Sequence, residues 1–458
     1  MLTTMDARVL DANAGALGIV MKELMRNAGT SIAKVLNDRF PGRRIVFVCG
    51  SGNNGGDGFA AALSMDPSKT RVLLLCAPSK IRSDESRYYY SLLECPIAQY
   101  APGSLCDADV IVDCALGTGS VGTPRGTYRS FIEESQSSNI PVVSADIPSG
   151  MGTGCAVLPS VTVTFIDIKV GMTEKNSGEI IVADIGMPYE ASHSVGPGDV
   201  LRYPVPDPFS HKGQNGRLMV IGGGPYYGAP IMASMAALRA GTDCVRVFCP
   251  GSVSDIVSTA SPVLMVTPLP GDRLSTSSID ILLSESLNYD AVLLGPGIGT
   301  DPDTVAAVER FVAECRAPMV VDADGLTAIP GVRFGTPAVL TPHRGEFEKL
   351  GGGNPEDISR LMNAVVLLKG RSDTITDGTR TRVNSTGCAA MTGAGTGDVL
   401  AGCVAGLLSK GMSPFDAACL GAFLCGKAGE LAFRSRSYGL IATDVIDCIP
   451  SVLAQYLK

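Results

Sequence analysis

Apolar residues recur at helical spacing between residues 9 and 36, at Leu17, Met21, Leu24, Met25, Ala28, Ile32 and Val35, which predicts one amphipathic helix laid over a core. The pattern then changes to a short unbroken apolar run, Arg44-Ile45-Val46-Phe47-Val48-Cys49. Such a run suits a strand buried on both faces. Similar runs at 71–76, 109–114, 140–146, 161–166 and 180–185 predict further strands, with helices at 57–65, 84–94 and 125–137 between them. Strands alternating with helices predict a doubly wound parallel sheet. Residues 186–210 carry Pro and Gly without periodicity and read as a connector. A second alternation follows. Its strands are expected at 217–222, 245–249, 291–294, 318–322, 338–341 and 365–369, and its helices at 230–240, 302–315, 396–409, 415–432 and 442–456. The expected organisation is therefore two α/β domains, 1–209 and 210–458, with no repeat between them.

Composition sharpens this picture at one point. The chain has 54 Gly among 458 residues, about 12 % against roughly 7 % in average usage. The glycines lack a three-residue period and cluster beside the expected strand ends, where they imply backbone brought close to a ligand. The net charge of −8 argues against nucleic-acid and anionic-membrane partners. No apolar run approaches the length of a membrane span, and the acid-bearing N-terminus does not read as a secretory signal. The 14 Cys include no CxxC pair, and with 3 His they offer little for a zinc site. Reduced, buried thiols in a cytoplasmic protein are the expectation.

Candidate chemistry sits at the strand ends. Residues 50–58, GSGNNGGDG, follow a strand and open a helix, and contain GxGxxG at Gly50, Gly52 and Gly55. Glycine lets a phosphate approach the backbone, and the helix start attracts it. In nicotinamide dehydrogenases an acid about 20 residues on reads a ribose hydroxyl. Here that place reads Leu75-Cys76-Ala77-Pro78, so an ordinary NAD-dependent dehydrogenase loses ground. Asp113 leads into the Gly-rich run 115–122, and Asp146 into Ile147-Pro148-Ser149-Gly150. Asn54, Asp113 and Ser149 are oxygen donors suited to a hard cation; each alone also reads as a turn residue or cap.

In the second half, Thr392-Gly393-Ala394-Gly395-Thr396-Gly397-Asp398 opens an apolar helix. Free N–H groups at that start can stabilise a transferring phosphoryl group, and Asp398 can accept a hydroxyl proton. His343 reads either as a ligand contact or as a structural residue. Tyr226 and Tyr227 read either as a stacking pair or as packing.

Taken together, GSGNNGGDG, Asp113 with GTGSVG at 117–122, and DIPSG at 146–150 resemble the NAD(P)H-hydrate epimerase domain over about residues 1–210. The resemblance implies a Rossmann-like fold. It implies contacts to the damaged nucleotide from Asn53, Asn54, Gly55, Gly56, Asp57, Gly117, Thr118, Gly119, Ser120, Val121, Gly122, Thr123 and Asp146. It further implies a potassium ion held by Asn54, Asp113 and Ser149, with Asp146 as acid/base at C6 of the hydrated ring. The GAGTGD helix start resembles the ribokinase-like superfamily. With HKG at 211–213, GPGIG at 295–299, DADGL at 322–326, TPHRGE at 341–346 and LKG at 368–370, residues 210–458 are similar to the ADP-dependent NAD(P)H-hydrate dehydratase. That resemblance implies hydrate contacts from Ala229, Gly297, His343 and Asp398. It implies an adenine-nucleotide site from Lys369, Gly370, Arg371, Ser372, Asp373 and Gly397, with Asp398 as base.

The expected activity is bifunctional repair. The first domain would interconvert the R and S hydrates of NADH and NADPH, and the second would dehydrate the S form using ADP, with Mg²⁺ neutralising phosphate charge. The expected protein is a cytoplasmic homo-oligomer. Two other classes stay open: a ribokinase-like small-molecule kinase fused to a nucleotide-binding module, and a first domain that binds without catalysing.

Overall fold

The computed structural model describes residues 1–120 and 122–457; Val121, one of the expected nucleotide contacts, and Lys458 lie outside the described residues. The chain forms two compact units, Met1–Ala191 and Ser192–Lys458. This division falls before the expected one at 209/210, because the Pro- and Gly-rich stretch packs into the second unit. Val195 and Val200 join that unit's apolar core. Val195 N donates to Val383 O at 2.9 Å, and Arg382 Nη2 donates to the buried Asp199 Oδ2 at 2.9 Å. The stretch holds only a short helix, Tyr189–His193, and a 3₁₀ turn, Pro197–Arg202, whose Asp199 is held by a buried ion pair with Arg382; neither is long enough to show a period.

Among the described residues the first unit has seven strands: β1 Ile45–Cys49, β2 Thr70–Leu74, β3 Ile97–Gln99, β4 Val110–Cys114, β5 Val142–Ala145, β6 Val161–Phe165 and β7 Glu179–Ala183. Their order is β3-β2-β1-β4-β5-β6-β7, and every pairing is parallel. Chain direction across the sheet reverses between β1 and β4. Such a crevice at the carboxyl ends is where open α/β sheets take ligands. β1 shows why its residues form a central strand. Ile45, Phe47 and Cys49 join a core with helices Met21–Arg39 and Asn53–Ala62. Val46 and Val48 join another with Phe131 and Ile132 of helix Thr127–Ser137. A strand covered on both faces must be apolar at every position.

The expected helix over 9–36 is two helices, Thr4–Ala16 and Met21–Arg39. Gly18, at φ +83°, breaks the run, and Leu17 and Val20 are left exposed at the corner. The helix after the Gly loop begins earlier than expected, at Asn53. The edge strand β3 was not expected; it is three exposed residues without a pattern.

Among the described residues the second unit has nine strands: β8 Arg217–Ile221, β9 Cys244–Pro250, β10 Met265–Leu269, β11 Ala291–Leu294, β12 Met319–Val321, β13 Ala338–Leu340, β14 Val365–Leu368, β15 Asp373–Thr376 and β16 Thr381–Asn384. Their order is β10-β9-β8-β11-β12-β13-β14-β15-β16, with β14, β15 and β16 paired antiparallel. β10 and the β15–β16 hairpin were not expected, since they are polar or interrupted by Pro268. Helices Gly228–Arg239 and Thr396–Ser409 meet so closely that a Cβ on Gly402 would lie 2.0 Å from Ala233 O. Some of the glycine excess therefore serves packing rather than ligand approach. All fourteen cysteines are free, and no described helix is long and apolar enough to cross a membrane.

Candidate functional sites

In the first unit a cavity of about 610 Å³ opens at the carboxyl ends of β1, β4, β5 and β6. The Gly loop and the first turn of helix Asn53–Ala62 form one wall, with Gly52, Asn53, Asn54 and Asp57 in the lining. Gly117, Thr118, Gly119 and Ser120 form another. Gly55 and Gly56 do not line it. A Cβ on Gly55 would lie 2.2 Å from Gly50 O, and one on Gly56 would lie 2.3 Å from Ser86 Oγ. Those two glycines let the turn and helix pack. Gly122 and Thr123 are exposed and also outside the lining.

Asp146 and Ile166 follow β5 and β6, and both line the cavity with positive φ, +64° and +71°. A β-branched residue in this region is strained, and such strain gathers at functional sites. Asp146 N is fixed by Val163 O at 2.8 Å. Its carboxylate forms an ion pair with Lys169, whose buried ammonium also donates to Thr164 Oγ1 at 2.9 Å and Phe165 O at 2.7 Å. Two further carboxyls face this pair. Burial, then the nearby Asp146, pushes Asp11 up to about 6, and the same causes raise Asp57 well above the usual carboxylate range. Asp11 and Lys169 were not among the expected site residues.

Beside the cavity, Asp113 is fully buried at the end of β4. Its Oδ1 accepts from Ser149 Oγ at 2.6 Å and Ala115 N at 3.2 Å, and its Oδ2 accepts from Ser144 Oγ and Ser149 N, each at 2.9 Å. Asn54 Nδ2 donates to Leu116 O at 3.2 Å, which leaves its buried Oδ1 without a hydrogen-bond partner. The three expected cation ligands thus meet around the Leu116 backbone. An orphaned acceptor among oxygen donors fits a hard cation.

In the second unit Asp398 lies in the first turn of helix Thr396–Ser409. Gly395, at φ +91°, stands at the cap without a side-chain hydrogen bond, so the N–H groups of the first turn are open to a ligand. Lys369 Nζ donates to the buried Asp322 Oδ1 at 2.9 Å, and Thr341 Oγ1 donates to the same atom at 2.8 Å. Burial works against the Lys369 ammonium, but Asp322 outweighs it and raises its pKa. Burial, then Asp322, pushes Asp398 up to about 7, with Lys369 opposing. Lys369 Nζ also lies 3.4 Å from where a Cβ on Gly397 would stand.

The loops around this helix start are locked to one another. A Cβ on Gly297, at φ +71°, would lie 2.0 Å from Tyr226 O, and Gly299 N donates to Asp324 Oδ2 at 2.9 Å. Ala229 stands partly buried in the first turn of helix Gly228–Arg239, next to the exposed Tyr226 and Tyr227. His343 caps helix Arg344–Lys349: its Nδ1 accepts from Glu346 N at 3.2 Å, while its N donates to Glu346 Oε2 at 2.8 Å. Its ring is otherwise exposed, so a structural duty and an open face coexist. Gly370, Arg371 and Ser372 form an exposed turn between β14 and β15. Asp373 folds back to accept from Gly370 N at 3.1 Å and Asn384 Nδ2 at 3.0 Å. Asp322, Asp324 and Glu346, which surround Asp398, were missed as site residues. DADGL had been noted only as part of a series of motifs.

The family profile described as NAD(P)H-hydrate dehydratase matches residues 218–451, and that of the YjeF-related protein N-terminus matches residues 21–171. The chain is 40 % identical to the bifunctional NAD(P)H-hydrate repair enzyme Nnr of Methanothermobacter thermautotrophicus, covering 98 % of this chain and 94 % of the relative. It is 39 % identical to the enzyme of that name from Pyrobaculum aerophilum, covering 99 % and 98 %. A ribokinase-like superfamily protein from Enterococcus faecalis superposes with TM-score 0.52 at 23 % identity, covering 58 % of this chain and 96 % of that one. An ADP/ATP-dependent NAD(P)H-hydrate dehydratase from Bacillus subtilis, co-crystallised with ATP/Mg²⁺, superposes with TM-score 0.50 at 23 % identity, covering 58 % and 99 %. These two structures bear on the fold of the second unit.

Proposed function

The chain belongs to the bifunctional NAD(P)H-hydrate repair enzymes, and from that premise we propose that Asp146 and Asp398 are the working acid/base groups of its two activities. The first unit epimerises the R and S hydrates of NADH and NADPH, and the second dehydrates the S hydrate. In the first unit Asp146 takes the proton of the C6 hydroxyl as the C6–N1 bond opens to leave an aldehyde at C6 and the electron pair on N1, and it returns the proton to that oxygen when N1 closes on the opposite face of the carbonyl. Lys169 orients its carboxylate through their ion pair. Asp11, raised to about 6, supplies a nearby exchangeable proton.

In the second unit Asp398 accepts the proton of the C6 hydroxyl as that oxygen attacks the β-phosphorus of ADP and AMP leaves. Phosphate then departs from C6, assisted by the ring nitrogen, and loss of a C5 proton restores the dihydropyridine. The N–H groups at the start of helix Thr396–Ser409 stabilise the moving phosphoryl charge, and Lys369 stands beside them. The nucleotide lies along Lys369, the 370–372 turn, Asp373 and Gly397, and the hydrate reaches Asp398 between Ala229, Gly297 and His343.

A potassium ion held by Asn54, Asp113 and Ser149 fits the unpaired Asn54 Oδ1, and would balance the Asp113 charge beside the substrate. Mg²⁺ enters on the nucleotide phosphates, the usual manner for this ion; among the described residues no three His, Cys, Asp or Glu gather as a metal-binding group. Fourteen free thiols suit a cytoplasmic location.

The observation that carries the reading is a carboxyl raised to about 7 in the first turn of a helix without a side-chain cap, next to a Lys–Asp pair. The test supplies the full chain with an R/S hydrate mixture, ADP and Mg²⁺, and follows the returning near-ultraviolet absorbance. Asp398→Asn is expected to cut dehydration by about 10²–10⁴-fold and leave epimerisation. Loss of both activities in folded protein would count against separate sites. A stable phosphorylated product would favour the kinase reading instead.

A further inference from the structure

We propose that a second cavity of the first unit receives a phosphate carried on the adenosine ribose, so that epimerisation favours the hydrate of NADPH over that of NADH. The proposal rests on the epimerase reading of the first unit. The cavity, about 720 Å³, lies at the carboxyl ends of β2 and β3. It shares Ser51, Arg82 and Tyr128 with the cavity that holds Asp146, so one extended ligand can enter both.

Three observations say what end of the ligand it takes. Lys80, Arg82 and Arg125 line it, and none of its lining residues is acidic. Among the described residues none of these three cations has an ion-pair partner, in a chain whose net charge is −8. Three exposed, unpaired cations around one hollow can donate charge-assisted hydrogen bonds to an anion, and a phosphate is the anion a dinucleotide brings. The start of helix Thr127–Ser137 opens into the same hollow. Gly126, at φ +57°, caps it without a side-chain hydrogen bond, and the helix is long enough to present a dipole.

Position completes the argument. In dinucleotide-binding sheets the end of the second strand reads the adenosine ribose: a carboxylate there binds the 2′-hydroxyl, and an arginine nearby accommodates a 2′-phosphate. Here β2 ends at Leu74, and the carboxylate's place holds Cys76. Arg82 and Lys80 are close enough for their charge to be felt at its thiol. The walls are tied together. Arg82 N donates to Ser51 O at 2.9 Å, Thr127 Oγ1 to Leu75 O at 3.0 Å, and Gln99 Nε2 to Cys76 O at 3.2 Å. The missing acid thus marks a change of preference within the dinucleotide class.

The test uses the full chain without ADP, so that dehydration is idle, and follows the epimer ratio of each purified hydrate by chromatography. The expected kcat/KM for the NADPH hydrate exceeds that for the NADH hydrate by at least about tenfold, the discrimination a charge-assisted contact gives. In the double variant Lys80→Gln/Arg125→Gln that ratio is expected to fall toward one, with the circular-dichroism spectrum unchanged. Equal efficiencies in the parent chain, or an unchanged ratio in the variant, would overturn the proposal while leaving the epimerase reading intact. If neither hydrate is epimerised, that reading fails, and a binding measurement still decides this one. 2′-Phosphoadenosine is expected to bind more tightly than adenosine, and the double variant to lose the difference. Inorganic phosphate competing as well as 2′-phosphoadenosine would reduce the cavity to a bare anion hole and also overturn it.

Discussion

Asp398→Asn should make the second unit more stable above neutral pH while removing its dehydration activity. The carboxyl is raised from 3.8 to about 7, chiefly by burial, and no described residue hydrogen-bonds its side chain. Its folded pKa therefore lies above its unfolded one. Below about pH 4 both states hold the proton, and the site imposes no penalty. As pH rises toward 7 the unfolded chain releases the proton and the folded chain keeps it, so stability falls across that window. The full difference corresponds to about 4 kcal/mol at 1.36 kcal/mol per pH unit, as an upper bound. Roughly 3 kcal/mol of it develops between pH 5 and pH 8, and relaxation and partial solvent access bring that to about 1–2 kcal/mol.

Asparagine has the same shape and does not ionise, so the variant escapes this loss. Thermal unfolding of the full chain at pH 5 and pH 8 measures it, reading the transition that added ADP shifts. The advantage of the variant should grow between the two pH values by a few degrees, at about 2–4 °C per kcal/mol. The same carboxyl sets a kinetic limb: kcat/KM of the parent for the S hydrate should fall about tenfold per pH unit below about 7, because only the ionised form is a base. A variant whose stability tracks that of the parent at both pH values, together with a flat kinetic limb, would refute the assignment of a raised carboxyl here.

Asp146→Asn should slow consumption of the R hydrate while leaving repair of the S hydrate intact, which a stereochemically resolved time course reads directly. Gly297→Ala would place a Cβ about 2.0 Å from Tyr226 O at φ +71°, so it should lower the second unit's stability by more than about 2 kcal/mol and damage dehydration, with epimerisation unaffected. Ser149→Ala removes the hydroxyl that donates to Asp113 and accepts from Leu116 N; the potassium concentration for half-maximal epimerisation should rise by about tenfold or more. Unchanged potassium dependence would argue that Asn54 and Asp113 do not share an ion with it.

The parts of the fold that were legible in the sequence are those where one physical requirement dominates. Doubly covered strands such as β1 and β11 must be apolar throughout, so they stand out as unbroken runs. The polar hairpin Asp373–Asn384 meets no such demand and carries no pattern. The stripe through Leu17 continued across a corner that Gly18 turns, since spacing alone does not register a reversal of direction. Candidate site residues on strand-end loops stood out because Gly and Asp cluster there. Lys169 and Asp11 were not, because a single Lys after β6 and a single Asp on an N-terminal helix carry meaning only once the fold brings them to Asp146.

The two sites share one electrostatic device on two different sheets. In each, a lysine and an aspartate pair at the carboxyl end of parallel strands, Lys169 with Asp146 and Lys369 with Asp322. In each, burial first and then the aspartate of the pair raises its neighbours: Asp11 and Asp57 in the first unit, Asp398 in the second. The units differ in which carboxylate can reach substrate. Asp146 lines an open cavity, so in the proposed mechanism the paired aspartate itself does the proton transfer. Asp322 is almost wholly buried behind Thr341, so the proposed mechanism gives the work to Asp398 at the helix start, where a phosphoryl group can also be held. The chemistry follows. A site that only moves protons can use the paired carboxylate directly. A site that must take a proton from a hydroxyl and receive a phosphoryl group on the same oxygen needs its base at a helix N-terminus, raised enough to bind that proton near neutral pH.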